Sequence, residues 1–102
     1  MRIKWTEPAV SDLKNIKDYI AKDSKYYAHQ FTDKIIESVE NLNKFPERGR
    51  VVPEADDENI RELLFHNYRI IYRIDVKGIL ILTIIHGSRD LTRKKTQLWE
   101  IL

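Results

Sequence analysis

Three arginines and one histidine in the second half of the chain carry the residue types from which a working site could be built. Arg69 and Arg73 stand four residues apart in the stretch Tyr68 to Asp75, and Arg61 stands in the apolar stretch before it. Guanidinium groups gathered on one face would grip phosphate or carboxylate through paired N–H donors and could stabilise charge building on a phosphoryl group. The same groups could instead pair with Glu62, Asp75 or the acidic run at 54–58 as surface ion pairs of little energetic worth. His86 ends an apolar run and precedes Gly87-Ser88-Arg89-Asp90, a position suited to a general acid or base near neutral pH. A single histidine there equally suits a hydrogen bond to its own turn. His29, His66 and His86 lack metal-ligand spacing and there is no cysteine, so no metal is expected. Gly49-Arg50 is too short to be a phosphate-cradling loop, so no cofactor is expected either.

These residues need strands to hold them. From Tyr68 to Asp75 the chain alternates, with Tyr68, Ile70, Tyr72 and Ile74 on the apolar side and Arg69, Ile71, Arg73 and Asp75 on the other. Lys77-Gly78 supplies a turn, and Ile79 to Ile85, apolar apart from Thr83, reads as a central strand covered on both faces. Ile60 to Phe65 forms the strand before, with Arg61, Leu63 and Phe65 on one face and Ile60, Glu62 and Leu64 on the other. His66-Asn67 is its turn into Tyr68. Arg61 is expected to join Arg69 and Arg73 on an open face of this meander, beside His86.

The first half supplies the cover. Arg2 to Trp5 fits a short strand, and Thr6, Glu7 and Pro8 open a helix as cap, acidic first-turn residue and tolerated proline. Val10, Leu13, Ile16 and Ile20 mark its apolar stripe to about Lys22. Asp23-Ser24 offers a second cap, and Ala28, Phe31, Ile35, Val39 and Leu42 carry a second helix to about Lys44, before Pro46. Pro46 to Asn59 reads as a long loop. Leu91, Leu98, Trp99 and Leu102 suggest a short terminal helix. The expected fold is α+β in the order β-α-α-β-β-β, a helical hairpin packed on a mainly antiparallel sheet, as one domain over residues 1–102.

Composition narrows the function classes. The 102 residues, 42% hydrophobic and 10% aromatic, suffice for one modest core. No apolar run is long enough to cross a bilayer, and the first residues lack a signal-peptide core, so a cytoplasmic protein is expected. The formal charge is only +2. Its distribution is uneven, because Arg61, Arg69, Arg73, Lys77, Arg89, Arg93, Lys94 and Lys95 outnumber the acids after residue 58. A basic sheet and tail of this kind suits phosphate or an acidic partner, or simply keeps a surface solvated.

Trp5-Thr6-Glu7-Pro8-Ala9, Asp12-Leu13, Tyr19-Ile20-Ala21, Pro46-Glu47-Arg48-Gly49-Arg50, Arg61-Glu62-Leu63, Tyr68 to Arg73 and His86 to Asp90 occur in an order and spacing that resembles the ParE/RelE superfamily of toxins. The resemblance implies a growth-arresting, plasmid-stabilising toxin with a cognate antitoxin wrapped over its working surface, and no small-molecule substrate. One branch, the RelE-like, cuts messenger RNA on the ribosome without a metal. On that likeness Arg69 and Arg89 match its arginines, its acid/base tyrosine is replaced by a basic residue near Lys95, and a nuclease here would have to lean on His86 or Glu62. The other branch, the ParE-like, poisons DNA gyrase without being an enzyme, and the His-Gly-Ser-Arg-Asp ending lies closer to it. A module that binds a partner without toxicity is a third reading. The surface expected to meet partner or nucleic acid comprises Arg61, Arg69, Arg73, Arg89, Arg93, Lys94 and Lys95.

Overall fold

A computed structural model describes residues 2–87. Strand β1 (Arg2–Trp5) leads into helices α1 (Glu7–Ala21) and α2 (Lys25–Glu40), and a short 3-10 turn at Asn41–Asn43 follows. Strands β2 (Arg50–Val51), β3 (Ile60–Phe65), β4 (Tyr68–Asp75) and β5 (Gly78–His86) complete the order. The sheet runs β1-β5-β4-β3-β2, antiparallel except where β1 lies parallel to β5. This is the expected helical hairpin on a mainly antiparallel sheet, extended by β2. The terminal helix expected from Leu91 onward lies outside the described residues.

Local chemistry fixes the helix starts. Thr6 caps α1 by accepting from the Ala9 N–H at 3.2 Å, and Ser24 caps α2 by accepting from Tyr27 N–H at 3.1 Å. Thr6 also reaches the sheet, donating its hydroxyl to the Leu82 carbonyl at 2.9 Å and its N–H to the Ile81 carbonyl at 3.1 Å. That reach matters because β5 carries a bulge there: Ile71 stands opposite Thr83 but Tyr72 stands opposite Ile81, leaving Leu82 as the extra residue. Asp12, nearly two turns further along α1, takes hydrogen bonds from Ile84 N–H at 3.0 Å and from the Thr83 hydroxyl. The single polar residue of the apolar run is thus spent on docking α1.

Alternation then sorts the two faces. Towards the helices, Ile70, Tyr72, Ile79, Ile81 and Ile84 pack against Ala9, Ile16, Phe31, Ile35, Val39 and Leu42. Burying such side chains contributes roughly 1.5–3 kcal/mol each. Val10 does not join them. It is 54% exposed, because Ala9 and not Val10 falls on the inward line with Leu13, Ile16 and Ile20. On the far face a second cluster of Val52, Ile60, Ile71, Leu82 and Ile85 is buried.

The covering of that far face corrects the reading of Pro46 to Asn59 as a plain loop. Arg50–Val51 pairs antiparallel with Arg61 and Glu62, and Val52 beyond it is fully buried. Residues 52–59 therefore form a strap across the sheet, anchored where Val52 N–H meets the Ile60 carbonyl at 3.0 Å. The β4–β5 turn is also displaced by one residue. Asp75 accepts from the N–H groups of Lys77 and Gly78, so Val76 and Lys77 are its central residues and Gly78 opens β5. With φ of +148° and the Arg2 carbonyl 2.1 Å from where a Cβ would stand, only glycine fits at 78.

Candidate functional site

The alternation of β4 puts Arg69 on the far face, opposite Leu64 of β3 and Ile85 of β5. Glu62 of β3 lies on that same face, paired in register with Arg50 of β2. The Arg69 Nε donates to Glu62 at 2.5 Å, while its two Nη atoms donate to both oxygens of Glu54 in the strap at 2.9 and 2.8 Å. Arg50 Nε reaches the other Glu62 oxygen at 2.5 Å. Two carboxylates and two guanidinium groups alternate in a chain, with Arg69 and Glu62 only 5% and 1% exposed. Burial of such charges is tolerable only when paired and hydrogen-bonded, as these are. The hydrogen bonds that Arg69 donates to Glu54, and then the one it donates to Glu62, hold its guanidinium well above its ordinary pKa, overcoming the opposing effect of burial.

Arg69 forms part of the wall of a groove of about 640 Å³ lined among others by Arg50, Glu54, Leu64, His66, Tyr68 and His86. His86 sits opposite Tyr68 in register and is exposed, its ring edge-on to the tyrosine with centroids 5.9 Å apart. Gly87 N–H donates to the Asn67 carbonyl, tying the end of β5 to the β3–β4 turn. The structure therefore brings together two of the expected site residues, Arg69 and His86, around one groove.

It does not bring Arg61 there. Arg61 stands opposite Tyr72 in the row that faces the helices, with Leu63 and Phe65, so the pleat carries it away from Arg69. Its Nη1 donates to the carbonyls of Gly49 at 2.9 Å and Glu47 at 3.3 Å, and its Nε to that of Glu58 at 3.1 Å. Arg73 shares the face of Arg69, but four residues of strand separate their Cα atoms by about 13 Å. It stands half-buried opposite Ile60 and Leu80. The expected convergence of three guanidinium groups on one open surface is thus corrected: one is sealed in a carboxylate pair, one pins a turn on the other face, and one lies along the strand. Arg89, Arg93, Lys94 and Lys95 lie outside the described residues.

Two contributors escaped the sequence reading. Glu54 was only one of four acids in a run, and nothing in its neighbours distinguishes it. Tyr72 was a core residue only, yet its hydroxyl donates to the Pro46 carbonyl at 2.7 Å and accepts from Gly49 N–H at 2.9 Å. Gly49 is held so close that a Cβ would stand 2.6 Å from both the Glu62 carbonyl oxygen and the Tyr72 hydroxyl. Burial pushes the Tyr72 phenol above its ordinary pKa, offset in part by the Gly49 N–H. Among the described residues no three histidine or acidic side chains gather as a metal-holding set, and no helix is long and apolar enough to cross a membrane.

The chain matches known proteins along most of its length. The profile described as "ParE toxin of type II toxin-antitoxin system, parDE" covers residues 3–91. The chain belongs to the ParE toxin family. It is accordingly a toxin of a type II toxin–antitoxin system. It is 30% identical over 89 residues to Toxin RelE2 of Caulobacter vibrioides, covering 86% of this chain and 97% of that one. With the putative toxin Y4kP of Sinorhizobium fredii it shares 33% identity over 91 residues, covering 87% and 91%. Among solved structures, the chromosomal ParDE system of P. aeruginosa is similar at a TM-score of 0.72 and 27% identity, with 86% of this chain and 97% of that chain covered. The RelBE2 toxin–antitoxin complex of Mycobacterium tuberculosis agrees in fold, at a TM-score of 0.59 and 22% identity over 82% and 94% of the chains. Within this family fold, Thr6 and Asp12 are the residues that dock α1 onto the bulge of β5.

Proposed function

We propose that this ParE-family toxin arrests growth by binding its target, with DNA gyrase as that target, and is neutralised by a cognate antitoxin. The state of Arg69 carries the reading. A guanidinium that is to steady charge on a scissile phosphate must offer its N–H donors to the phosphate. Here those of Arg69 are directed at Glu62 and Glu54. A toxin that works by occupying a surface has no such requirement. The antitoxin reading is supported by the ParDE system and RelBE2 complex to which the fold is similar.

Ribosome-dependent cleavage of messenger RNA is the second reading, favoured by the likeness to RelE2 and by Arg69 and His86 lining one groove. Gyrase supercoiling with cleavage-complex trapping, run beside cleavage of a defined transcript on stalled ribosomes, separates the two. Trapped DNA breaks with intact transcript uphold the binding mode. A cut transcript without trapped DNA overturns it.

A further inference from the structure

We propose that the sheet corner formed by Arg2, Lys4 and Lys77 is a contact site for the phosphate backbone of duplex DNA. The contact rests on the gyrase reading for its choice of duplex DNA, and deepens that reading by giving the toxin a direct hold on the DNA itself.

The pleat collects these cations at the end of the sheet opposite to Arg69. Ile3 and Trp5 of β1 pack towards the helices, so Arg2 and Lys4 project from the far face. In the parallel register Arg2 stands beside Gly78 and Lys4 beside Leu80, which packs with the far-face cluster. Lys77 immediately precedes Gly78 in the β4–β5 turn. Because the glycine required at 78 has no side chain, a hollow of about 360 Å³ remains there, lined among others by Arg2, Lys4, Asp75, Lys77 and Leu80.

Availability separates this corner from the arginines of the middle strands. Arg50 and Arg69 are paired with carboxylates and Arg61 with carbonyls. Arg2, Lys4 and Lys77 are exposed, and among the described residues none of the three makes an ion pair. Asp75, the one acid of the corner, turns its carboxylate to the backbone N–H groups of Lys77 and Gly78. Three cations against one carboxylate leave a local charge of +2. The lysines of the helical hairpin, by contrast, interleave with Asp18, Asp23, Asp33 and Glu37.

Spacing selects the ligand class. Arg2 and Lys4 are two residues apart on an edge strand, about 6.6 Å between Cα atoms, so they address successive charges of a polymer. A single small anion is better held by a fork of donors converging on it. Duplex DNA carries one negative charge per about 1.7 Å of its axis, and an exposed row of cations gains affinity by releasing the counterions condensed there. No aromatic ring lines the hollow, so unpaired bases have nothing to stack on, which favours a duplex over a single strand. Nor is there an anchor for a peptide: Ile79 faces the helices, and Leu80 is half-buried.

The test is fluorescence anisotropy of a labelled duplex of about 20 base pairs, titrated with the whole protein and without gyrase, at about 50 to 200 mM salt. We expect binding that weakens as salt rises. Arg2→Gln combined with Lys4→Gln should weaken it at least tenfold and make the slope of log affinity against log salt shallower by about 2. Lys77→Gln should make the slope shallower by about 1, and serves alone if the double variant does not fold by circular dichroism. Lys14→Gln combined with Lys17→Gln, which removes the same charge from α1, should do neither. Equal losses from the two pairs overturn the site, as does an unchanged slope in the corner variants. Tighter binding of a single strand of equal length overturns the choice of a duplex. Displacement of the duplex by polyglutamate at equal charge concentration assigns the corner to an acidic polypeptide and overturns the choice of DNA. Trapped breaks in the gyrase assay with no duplex binding here would keep the gyrase reading and sink this contact.

Discussion

Tyr72 and Arg69 leave the same strand in opposite directions and do the same mechanical job by different chemistry. Tyr72, on the helix side, holds the turn at 46–49 with one neutral donor and one neutral acceptor contact. Arg69, on the far side, holds the strap with an ionic fork to Glu54 and a second bond to Glu62. The chain is thus pinned on either side of β2, by Tyr72 before it and by Arg69 after it. A neutral pin can be removed with only its hydrogen bonds lost, whereas removal of an ionic one strands charge in a place from which water is excluded.

The comparison breaks most severely at Arg69. Arg69→Ala leaves Glu62, 1% exposed, paired with Arg50, and removes the ionic fork from the strap carboxylate of Glu54. Denaturant unfolding should show a loss of about 3–5 kcal/mol, the usual range for halving a buried pair. A loss below about 1 kcal/mol would mean that the pair is as weak as a solvated one. Tyr72→Phe comes next and should cost on the order of 1–2 kcal/mol at neutral pH, since two hydrogen bonds are lost without stranded charge.

Tyr72 also gives the comparison a pH signature. Its phenol titrates higher in the folded chain than the ordinary value of 10.0, so the folded state retains a proton that the unfolded state releases. The associated stability is fully present below pH 10 and is lost as pH rises through the folded-state value. Thermal melts of wild type should therefore fall more steeply above pH 10 than those of Tyr72→Phe. Arg69, with its pKa raised further still, remains charged throughout that range and adds no slope. The smallest effect belongs to Arg50→Ala. The Arg50 side chain is 60% exposed, and its pair with Glu62 should contribute no more than about 1 kcal/mol by the same denaturant measurement.

Much of this was legible in the residues. The alternation of Tyr68 to Asp75 correctly separates the Tyr72 row from the Arg69 row, and the caps Thr6 and Ser24 and the stripe from Ala28 to Leu42 stand where their spacing puts them. The same alternation already places Arg61 with Leu63 and Phe65, so its distance from Arg69 is written in the pattern that was used to join them. Other features leave no local trace. Two residues of β2 are too few to show a period, the bulge at Leu82 hides in a run with no polar face, and the choice of Glu54 over its acidic neighbours depends on where the strap crosses the sheet.

The parallel pairing of β1 with β5 sets the order in which the molecule can be completed. Arg2 lies beside Gly78, so β1 has no edge to join until β5, made some seventy residues later, has emerged too. Closing a span of that length costs on the order of 4 kcal/mol in chain entropy, recovered only when both strands are present. A nascent chain is consequently unable to close this sheet until β5 has emerged, and synthesis interrupted before that strand yields fragments without the β1–β5 pairing.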